Sequence, residues 1–397
     1  MRILFVAPYI GQGFGGPGKV VTELATALGA QNIELDLITT DANATSTLDV
    51  PLKTWIHRDH YRIQFFPSWH HHDLIWSPAL LKMLERQHHQ YDLVHTHCMF
   101  MPLLSMAHRL CDRCKIPYVM TPHGMLDSWA LAYKAKKKYI YYTAFEKAAL
   151  RRASAIHTLT SIEAQQVNAL GFQQTIVIPN GIHRQEFDHP GDPRLFYQHF
   201  PQTQFKRLIL FLGRIDPKKG LDLLAPAFAQ VRHHFPDAHL IVAGPDNIGF
   251  LPTAQNYFEQ AGCGTAVTFT HMLTGALKQA ALAAAEVFVL PSYSEGFSMS
   301  ILEAMATGLP CVITKQCNFP EASNFRFATV VDAAAETLSE ALLMQLRDRA
   351  TAAQMGERAR QYILQHYTWN QIATTLGHHY QKIVQQSKAP TLEPSNV

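Results

Sequence analysis

Two carboxylates and two cations are the residues of this chain best suited to chemistry. Glu295 and Glu303 form a Glu-x7-Glu block within Pro-Ser-Tyr-Ser-Glu-Gly-Phe-Ser-Met-Ser-Ile-Leu-Glu-Ala-Met-Ala-Thr-Gly-Leu-Pro, residues 291–310. Arg214 and Lys219 flank the turn in Gly213-Arg214-Ile215-Asp216-Pro217-Lys218-Lys219-Gly220. Fixed carboxylates accept hydrogen bonds from hydroxyls, and fixed cations stabilise the charge that builds on a departing diphosphate. Beyond Gly296, the free N–H groups of Phe297, Ser298 and Met299 add donors for an anion. A ligand with both hydroxyls and phosphates, such as a nucleotide-sugar, suits that set. Plainer readings stand beside it. Ser300-x-x-Glu303 is also a capping box, and the Arg214–Lys219 segment is also a solvated basic turn.

The surrounding elements must hold these groups in place. Ala285–Leu290 is an apolar run that reads as a buried strand ending at Pro291, and Ser300–Thr307 reads as a helix stopped by Gly308 and Pro310. Glu295 is then expected in a strand-to-helix loop and Glu303 in the first turn of the helix. That is the carboxyl end of a parallel sheet, where open α/β folds bind ligands. Leu208–Leu212, Leu240–Ala243, Val267–Thr270 and Cys311–Thr314 complete this sheet. Leu223, Leu224, Phe228 and Val231 mark a helix, with Pro226 expected near its start. In the first half, Arg2–Ala7, Ile33–Thr39, Leu93–Thr96, Tyr118–Thr121, Ala155–Leu159 and Thr175–Ile178 are short strand candidates. Helical spacing at Val20, Val21, Leu24, Ala27 and Leu28 falls between the first two. This alternation predicts an α/β protein with doubly wound parallel sheets. Ala333–Gln386 is helical in pattern, and Lys388–Val397 reads as a disordered tail.

Gly15-Gly16-Pro17-Gly18 precedes the first helix and offers unobstructed backbone N–H groups to a phosphate. Gly13-x-Gly15-x-x-Gly18 also satisfies the dinucleotide fingerprint, but five residues separate Gly13 from the strand end at Ala7. The fingerprint's first glycine normally follows its strand directly. Thr121-Pro122-His123-Gly124 follows another strand, and Pro179-Asn180-Gly181 is a turn between the two halves.

Together with the Glu-x7-Glu block and the Arg214–Lys219 turn, these segments resemble the signature of retaining glycosyltransferases of family 4, which have the GT-B fold. The resemblance extends to about Tyr380. It implies two Rossmann-like doubly wound domains facing a central cleft, with residues 1–183 on the acceptor side and 184–366 binding a nucleotide-sugar. Residues 367–387 would form a C-terminal helix crossing back to the first domain, ahead of the tail 388–397. The implied catalytic set is His123, Arg214, Lys219 and Glu295. Arg214 and Lys219 would hold the diphosphate, Glu295 the sugar hydroxyls, Glu303 the ribose, and His123 the sugar's outer hydroxyls. Gly15, Gly16, His97 and Asn180 are the further substrate contacts implied in the first domain, His97 on the acceptor side. In the second they are Gly244, His271, Met272, Leu273, Gly296, Phe297 and Ser298. No metal or cofactor is implied, and no Asp-x-Asp metal motif occurs in the sequence. The family more often has glycine near His271, and Asn318-Phe319-Pro320-Glu321 keeps only the Pro-Glu of a more frequent Gly-Gly-x-Pro-Glu.

A chain of 397 residues can hold two full cores, and 47% hydrophobic content is that of an ordinary globular protein. A net charge of +3 argues against nucleic acid as a partner, although the 22 histidines would raise it in acid. Met-Arg-Ile-Leu-Phe-Val-Ala-Pro is too short an apolar run for a secretory signal and reads as a first strand. No apolar stretch reaches the length of a membrane span, and six cysteines suggest no disulfide framework. Cys111-x-x-Cys114, with His97-Cys98 upstream, lacks the second Cys pair of a zinc site. A cytoplasmic enzyme is expected. Tyr133 to Arg152, carrying Lys134, Lys136, Lys137 and Lys138 among aromatics, suits the anionic inner face of a membrane or is a solvated helix face. The expected reaction is transfer of a hexosyl or pentosyl group to a glycan or lipid-linked acceptor, in cell-surface polysaccharide synthesis. The alternatives are a GT-B epimerase or phosphorylase, a scaffold that binds nucleotide-sugar without turnover, and an NAD oxidoreductase.

Overall fold

Apolar runs bounded by Pro and Gly become the central strands of two parallel sheets. The computed structural model describes residues 1–11, 14, 16–44, 46–71, 74–127 and 135–388. Gly15, Tyr133, Lys134 and the tail beyond Lys388 lie outside the described residues. The chain divides into two units, Met1–Gly181 together with the segment from Trp369 onward, and Ile182–Thr368.

In the first unit, eight strands run in the order Thr175–Val177, Ala155–Thr158, Tyr118–Thr121, Leu93–His97, Arg2–Val6, Glu34–Thr40, Arg62–Phe66 and Trp55–His57. All pair in parallel except Trp55–His57, which pairs antiparallel with Arg62–Phe66 on one edge. The sequence pattern did not reveal that edge pair, because arginines and histidines interrupt its apolar alternation. Chain order reverses between Arg2–Val6 and Leu93–His97, so the carboxyl ends of those two strands border a switch point. Ile3, Leu4, Phe5 and Val6 are all fully buried, as a strand covered on both faces must be.

One face of this sheet is covered by the helices Gly16–Gly29 and Trp369–Lys388. Val21, Leu24 and Leu28 of the first meet Trp369, Ile372, Leu376 and Tyr380 of the second. The C-terminal helix is therefore part of the first unit's core.

Tyr380 ends a buried chain of hydrogen bonds whose direction is determined at the far end. The Ile178 carbonyl can only accept, so Nε2 of His157, 2.7 Å away, carries a proton. Burial lowers the His157 pKa to about 4, so the ring is neutral and Nδ1 must accept from the Thr121 hydroxyl at 3.0 Å. Thr121 Oγ1 then accepts from His95 Nε2 at 2.6 Å, and His95 Nδ1 accepts from the Tyr380 hydroxyl at 2.5 Å. Every link has one possible donor. The chain fastens the C-terminal helix to three strands of the sheet.

The second unit holds six parallel strands in the order Val267–His271, Ala238–Ala243, Arg207–Leu212, Val287–Leu290, Cys311–Thr314 and Thr329–Val331. Its switch point lies between Arg207–Leu212 and Val287–Leu290. The helix Leu221–His234 carries Pro226 in its interior rather than near its start, so the Asp222 carbonyl loses its usual partner there.

Burial holds His95 and His97 well below the ordinary imidazole range, His108 and His123 at about 3 and His157 at about 4. Unfolding between those values and about 6.5 takes up protons, so the stability these rings contribute is full above that range and falls as pH drops through it. Burial pushes the Glu146 and Glu163 carboxyls up to about 7, which acts in the opposite sense but through fewer groups. Urea titrations should show the first unit losing up to about 1.4 kcal/mol per histidine for each pH unit below about 6. Stability that is flat from pH 7 to pH 4.5 would contradict neutral burial.

Candidate functional site

Beside the second unit's switch point, the loops after Arg207–Leu212 and Ala238–Ala243 are locked together by short backbone contacts. After Leu212, Gly213 N–H bonds the Ala243 carbonyl at 2.9 Å and Ile215 N–H bonds the Pro245 carbonyl at 2.9 Å. Asp216 then orders the turn. Its Oδ1 accepts from Lys218 N–H at 2.9 Å, and its Oδ2 lies 3.2 Å from the Arg214 guanidinium, which is half exposed. Gly220 has φ +68°, and a Cβ there would lie 2.0 Å from the Pro291 carbonyl oxygen. Only glycine lets the turn after Lys219 press this closely on the loop that carries Glu295.

That approach brings Lys219 Nζ to 2.5 Å from Glu295 Oε1, with both side chains about nine-tenths buried. Ser292 Oγ donates to the same oxygen at 2.5 Å. Burial opposes the charge on Glu295, but Lys219 and Ser292 outweigh it and hold the carboxyl below its ordinary range. The Glu295 backbone is pinned on both sides. Its N–H bonds the Gln316 carbonyl at 2.9 Å, and its carbonyl accepts from Asn318 Nδ2 at 2.6 Å. Asn318 has φ +55°, a left-handed conformation that asparagine tolerates better than most residues. Asn318 thus both makes the left-handed turn and adds a bond to the loop.

Glu303 departs from expectation in two ways. Its helix spans Met299–Ala306, so Glu303 lies in the second turn and not the first. The N-cap is Ser298, with no side-chain cap bond, and no capping box forms at Ser300. The Glu303 carboxylate instead accepts from Lys278 Nζ at 2.7 Å, with side chains 13% and 15% exposed. Lys278 was not singled out from the sequence. The available signal was a lone charge in the alanine-rich helix Gly275–Ala284.

The other expected contacts of this unit are mixed. A Cβ on Gly244 would lie 1.8 Å from the Gly213 carbonyl oxygen, so close approach of two strand ends requires that glycine. His271, at φ +59°, is exposed and its carbonyl accepts from Gly244 N–H at 2.9 Å. Met272 is exposed, whereas Leu273 belongs to the unit's core. Phe297 packs on Phe319 and Tyr367, so its ring is structural. Gly296 and Ser298 are half-buried in the loop beside Glu295.

In the first unit, His97 ends the strand Leu93–His97, and His123 follows Tyr118–Thr121 in a left-handed conformation, φ +53°. His97 Nδ1 and His123 Nε2 share a proton-bearing contact at 3.2 Å. Whichever ring donates, His97 Nε2 remains buried without a partner among the described residues. Glu163, which sequence reasoning missed, holds the His123 turn: Oε1 accepts from Gly124 N–H at 2.8 Å and Oε2 from Leu159 N–H at 2.7 Å. Glu146 likewise holds Phe100 N–H at 3.0 Å in the loop after His97. Gly16 begins its helix with open space where a Cβ would be, and Asn180 is buried in its turn.

Among the described residues, no three His, Cys, Asp or Glu side chains converge as a metal site. Cavities of about 590 and 700 Å³ lie at the amino ends of the strands, one in each unit, and neither is lined by any of these residues.

Both units resemble known proteins. Residues 14–186 match the family described as Glycosyltransferase Family 4, and residues 198–362 match Glycosyl transferases group 1. A D-inositol 3-phosphate glycosyltransferase of Geodermatophilus obscurus is 27% identical over 318 residues, covering 75% of this chain and 70% of the relative. The sucrose-phosphate synthase structure from Thermosynechococcus elongatus superposes with a TM-score of 0.77 at 21% identity, over 97% of this chain and 100% of that one. Anabaena HepE, solved in complex with UDP, superposes with a TM-score of 0.74 at 17% identity, over 96% and 100%. The fold is GT-B.

The Asn318 contact gives a graded test. Asn318→Gly keeps the left-handed turn and loses one hydrogen bond, about 1 kcal/mol. Asn318→Ala loses the bond and also forces alanine into the left-handed region, which adds about 1–2 kcal/mol. Urea unfolding should rank wild type above Gly above Ala, and an alanine variant as stable as the glycine variant would remove the conformational argument.

Proposed function

Because the chain belongs to the glycosyltransferases of family 4, we propose that it moves a sugar from a nucleotide-diphosphate sugar to a hydroxyl acceptor with retention of configuration. One observation carries this reading: two carboxylates beyond the strand Val287–Leu290, Glu295 buried and Glu303 largely so, are each held by a lysine, and a half-exposed arginine follows the adjoining strand Arg207–Leu212. Lys219 pairs with Glu295. A diphosphate brings charge that the ammonium can meet, and Glu295 is then available to sugar hydroxyls. Glu303 takes the ribose.

The reaction needs no covalent intermediate. The bond between the anomeric carbon and the diphosphate oxygen breaks, and the acceptor oxygen bonds to the same carbon from the same face. The acceptor's proton passes to the departing phosphate oxygen, giving glycoside and nucleoside diphosphate. Arg214, fixed by Asp216, and Lys219 stabilise that oxygen as its charge grows. His97, whose Nε2 has no partner among the described residues, is suited to an acceptor hydroxyl, and His123, kept neutral by burial, to a hydroxyl of the sugar. Because fixed cations serve where other folds recruit a metal ion, the reaction requires neither metal nor cofactor.

Thermal-shift titration against UDP-, GDP- and ADP-sugars should find one that stabilises the protein, since a ligand of the folded state raises apparent stability. Nucleotide release on addition of acceptor should survive EDTA and fall about 10²–10³-fold in Arg214→Ala. Binding of no nucleotide-sugar, or EDTA inactivation reversed by magnesium, would overturn the reading.

The acceptor is proposed to be a lipid-linked glycan, met at the cytoplasmic face of a membrane during cell-surface polysaccharide synthesis. The helix Ala135–Tyr141 exposes Lys136 and Lys137 beside Tyr139 and Ile140, which are 71% and 68% exposed. Lys138 instead lies over the Phe100 ring. Cations next to protruding apolar side chains suit an anionic bilayer, each lysine contributing about 1 kcal/mol. Among the described residues no helix is long and apolar enough to cross a membrane. The protein should therefore co-sediment reversibly with phosphatidylserine vesicles at low salt and not with phosphatidylcholine vesicles. Changing Lys136 and Lys137 to Glu should abolish this, and equal sedimentation of wild type and variant would leave them as a solvated face.

A further inference from the structure

Lys278 is the one charged residue in the helix Gly275–Ala284, whose sequence is otherwise mostly alanine and leucine. It is not at the surface. Its side chain is 15% exposed and ends 2.7 Å from Glu303 Oε1. Ordering a lysine costs side-chain entropy, and desolvating an ion pair offsets most of its attraction, so such a pair adds little to stability. Its effect is geometric. With Oε1 engaged by Lys278, the Glu303 carboxylate is held in one orientation, and Oε2 has no hydrogen-bond partner among the described residues. The helix Met299–Ala306 alone would not fix the carboxylate, because its N-cap makes no side-chain bond and Glu303 lies in its second turn.

We propose that Lys278 is a positioning residue for ribose recognition: it orients Glu303 so that Oε2 accepts from the ribose diol of the donor nucleotide. The inference rests on the nucleotide-diphosphate reading of this site and deepens it. Glu303 touches the substrate, and Lys278 acts through it. A lysine is suited to the task because its ammonium fixes the carboxylate with a charge-assisted bond, which a neutral donor such as glutamine would make more weakly.

Calorimetry tests this without knowledge of the acceptor. UDP, GDP and ADP are each titrated into wild type, and the one that binds is compared with its 2′,3′-dideoxy counterpart. In wild type, loss of the ribose hydroxyls should weaken binding about tenfold or more, the usual cost of a hydrogen bond to a charged group. Lys278→Met should weaken the ribonucleotide by a similar factor and leave the dideoxy form unchanged, so discrimination collapses. Lys278→Arg should recover part of it. Glu303→Gln should also lose discrimination, and adding Lys278→Met to it should change little, since the two residues act as a unit. If Lys278→Met does not fold, Lys278→Gln is read in the same way, with a smaller loss. Full discrimination in a folded Met or Gln variant, or equal weakening of both ligands, would overturn the proposal while leaving the donor site intact. Failure of wild type to bind any of the three nucleotides would instead remove the underlying reading, and the proposal with it.

Discussion

The Lys219–Glu295 ion pair is the interaction on which the second unit's ligand face depends. Neither residue could be buried alone, because removing one partner of such a pair costs about 3–5 kcal/mol. The two are brought together across the switch point by the close contact of Gly220 with the Pro291 carbonyl, and held by Ser292 from within the loop. Asp216 orders the cation side, while Gln316 and Asn318 order the carboxylate side. Each of these supports sits at the carboxyl end of a strand. A parallel sheet gathers such ends on one edge, so groups far apart in sequence can be fixed within hydrogen-bonding distance.

The two units use similar topology for different electrostatic ends. The second presents carboxylates each bonded to a lysine. The first presents imidazoles kept neutral by burial, with His97 and His123 at the strand ends. Carboxylates there act on the backbone instead. Glu163 and Glu146 hold the N–H groups of Gly124 and Phe100, in loops with left-handed residues at His123, Gly124, Cys98 and Phe100. Strained turns that carry candidate ligand groups are thus braced from behind by buried acids.

Much of the architecture was legible because its physics is local. Tyr118–Thr121 and Cys311–Thr314 coincide residue for residue with the expected strands, being apolar runs whose ends are marked by Pro, Gly or polar residues. The position of Glu295 in a strand-to-helix loop followed from the same signals. What escaped depended on partners distant in sequence. Lys278 and Glu303 have no periodicity in common, and the role of Asn318 is visible only once its amide meets the Glu295 carbonyl. Pro226 and the start of the Glu303 helix were misplaced because helix ends depend on backbone partners that composition records poorly. The antiparallel edge at Trp55–His57 was hidden by charged residues, since an edge strand need not be apolar.

The hydrogen-bond chain from Tyr380 to the Ile178 carbonyl has a consequence for how this sequence can drift. All its protons point the same way, so the chain is a row of aligned dipoles and tolerates no reversal at a single link. A residue that only donates or only accepts cannot replace Thr121, which must do both. Serine preserves the pattern and valine breaks two links at once. The positions of Tyr380, His95, Thr121 and His157 are therefore constrained jointly, as one inherited unit spanning the length of the chain. Homologues should keep the whole row or replace it together with apolar residues, and intermediates that retain half of it would bury unpaired nitrogen.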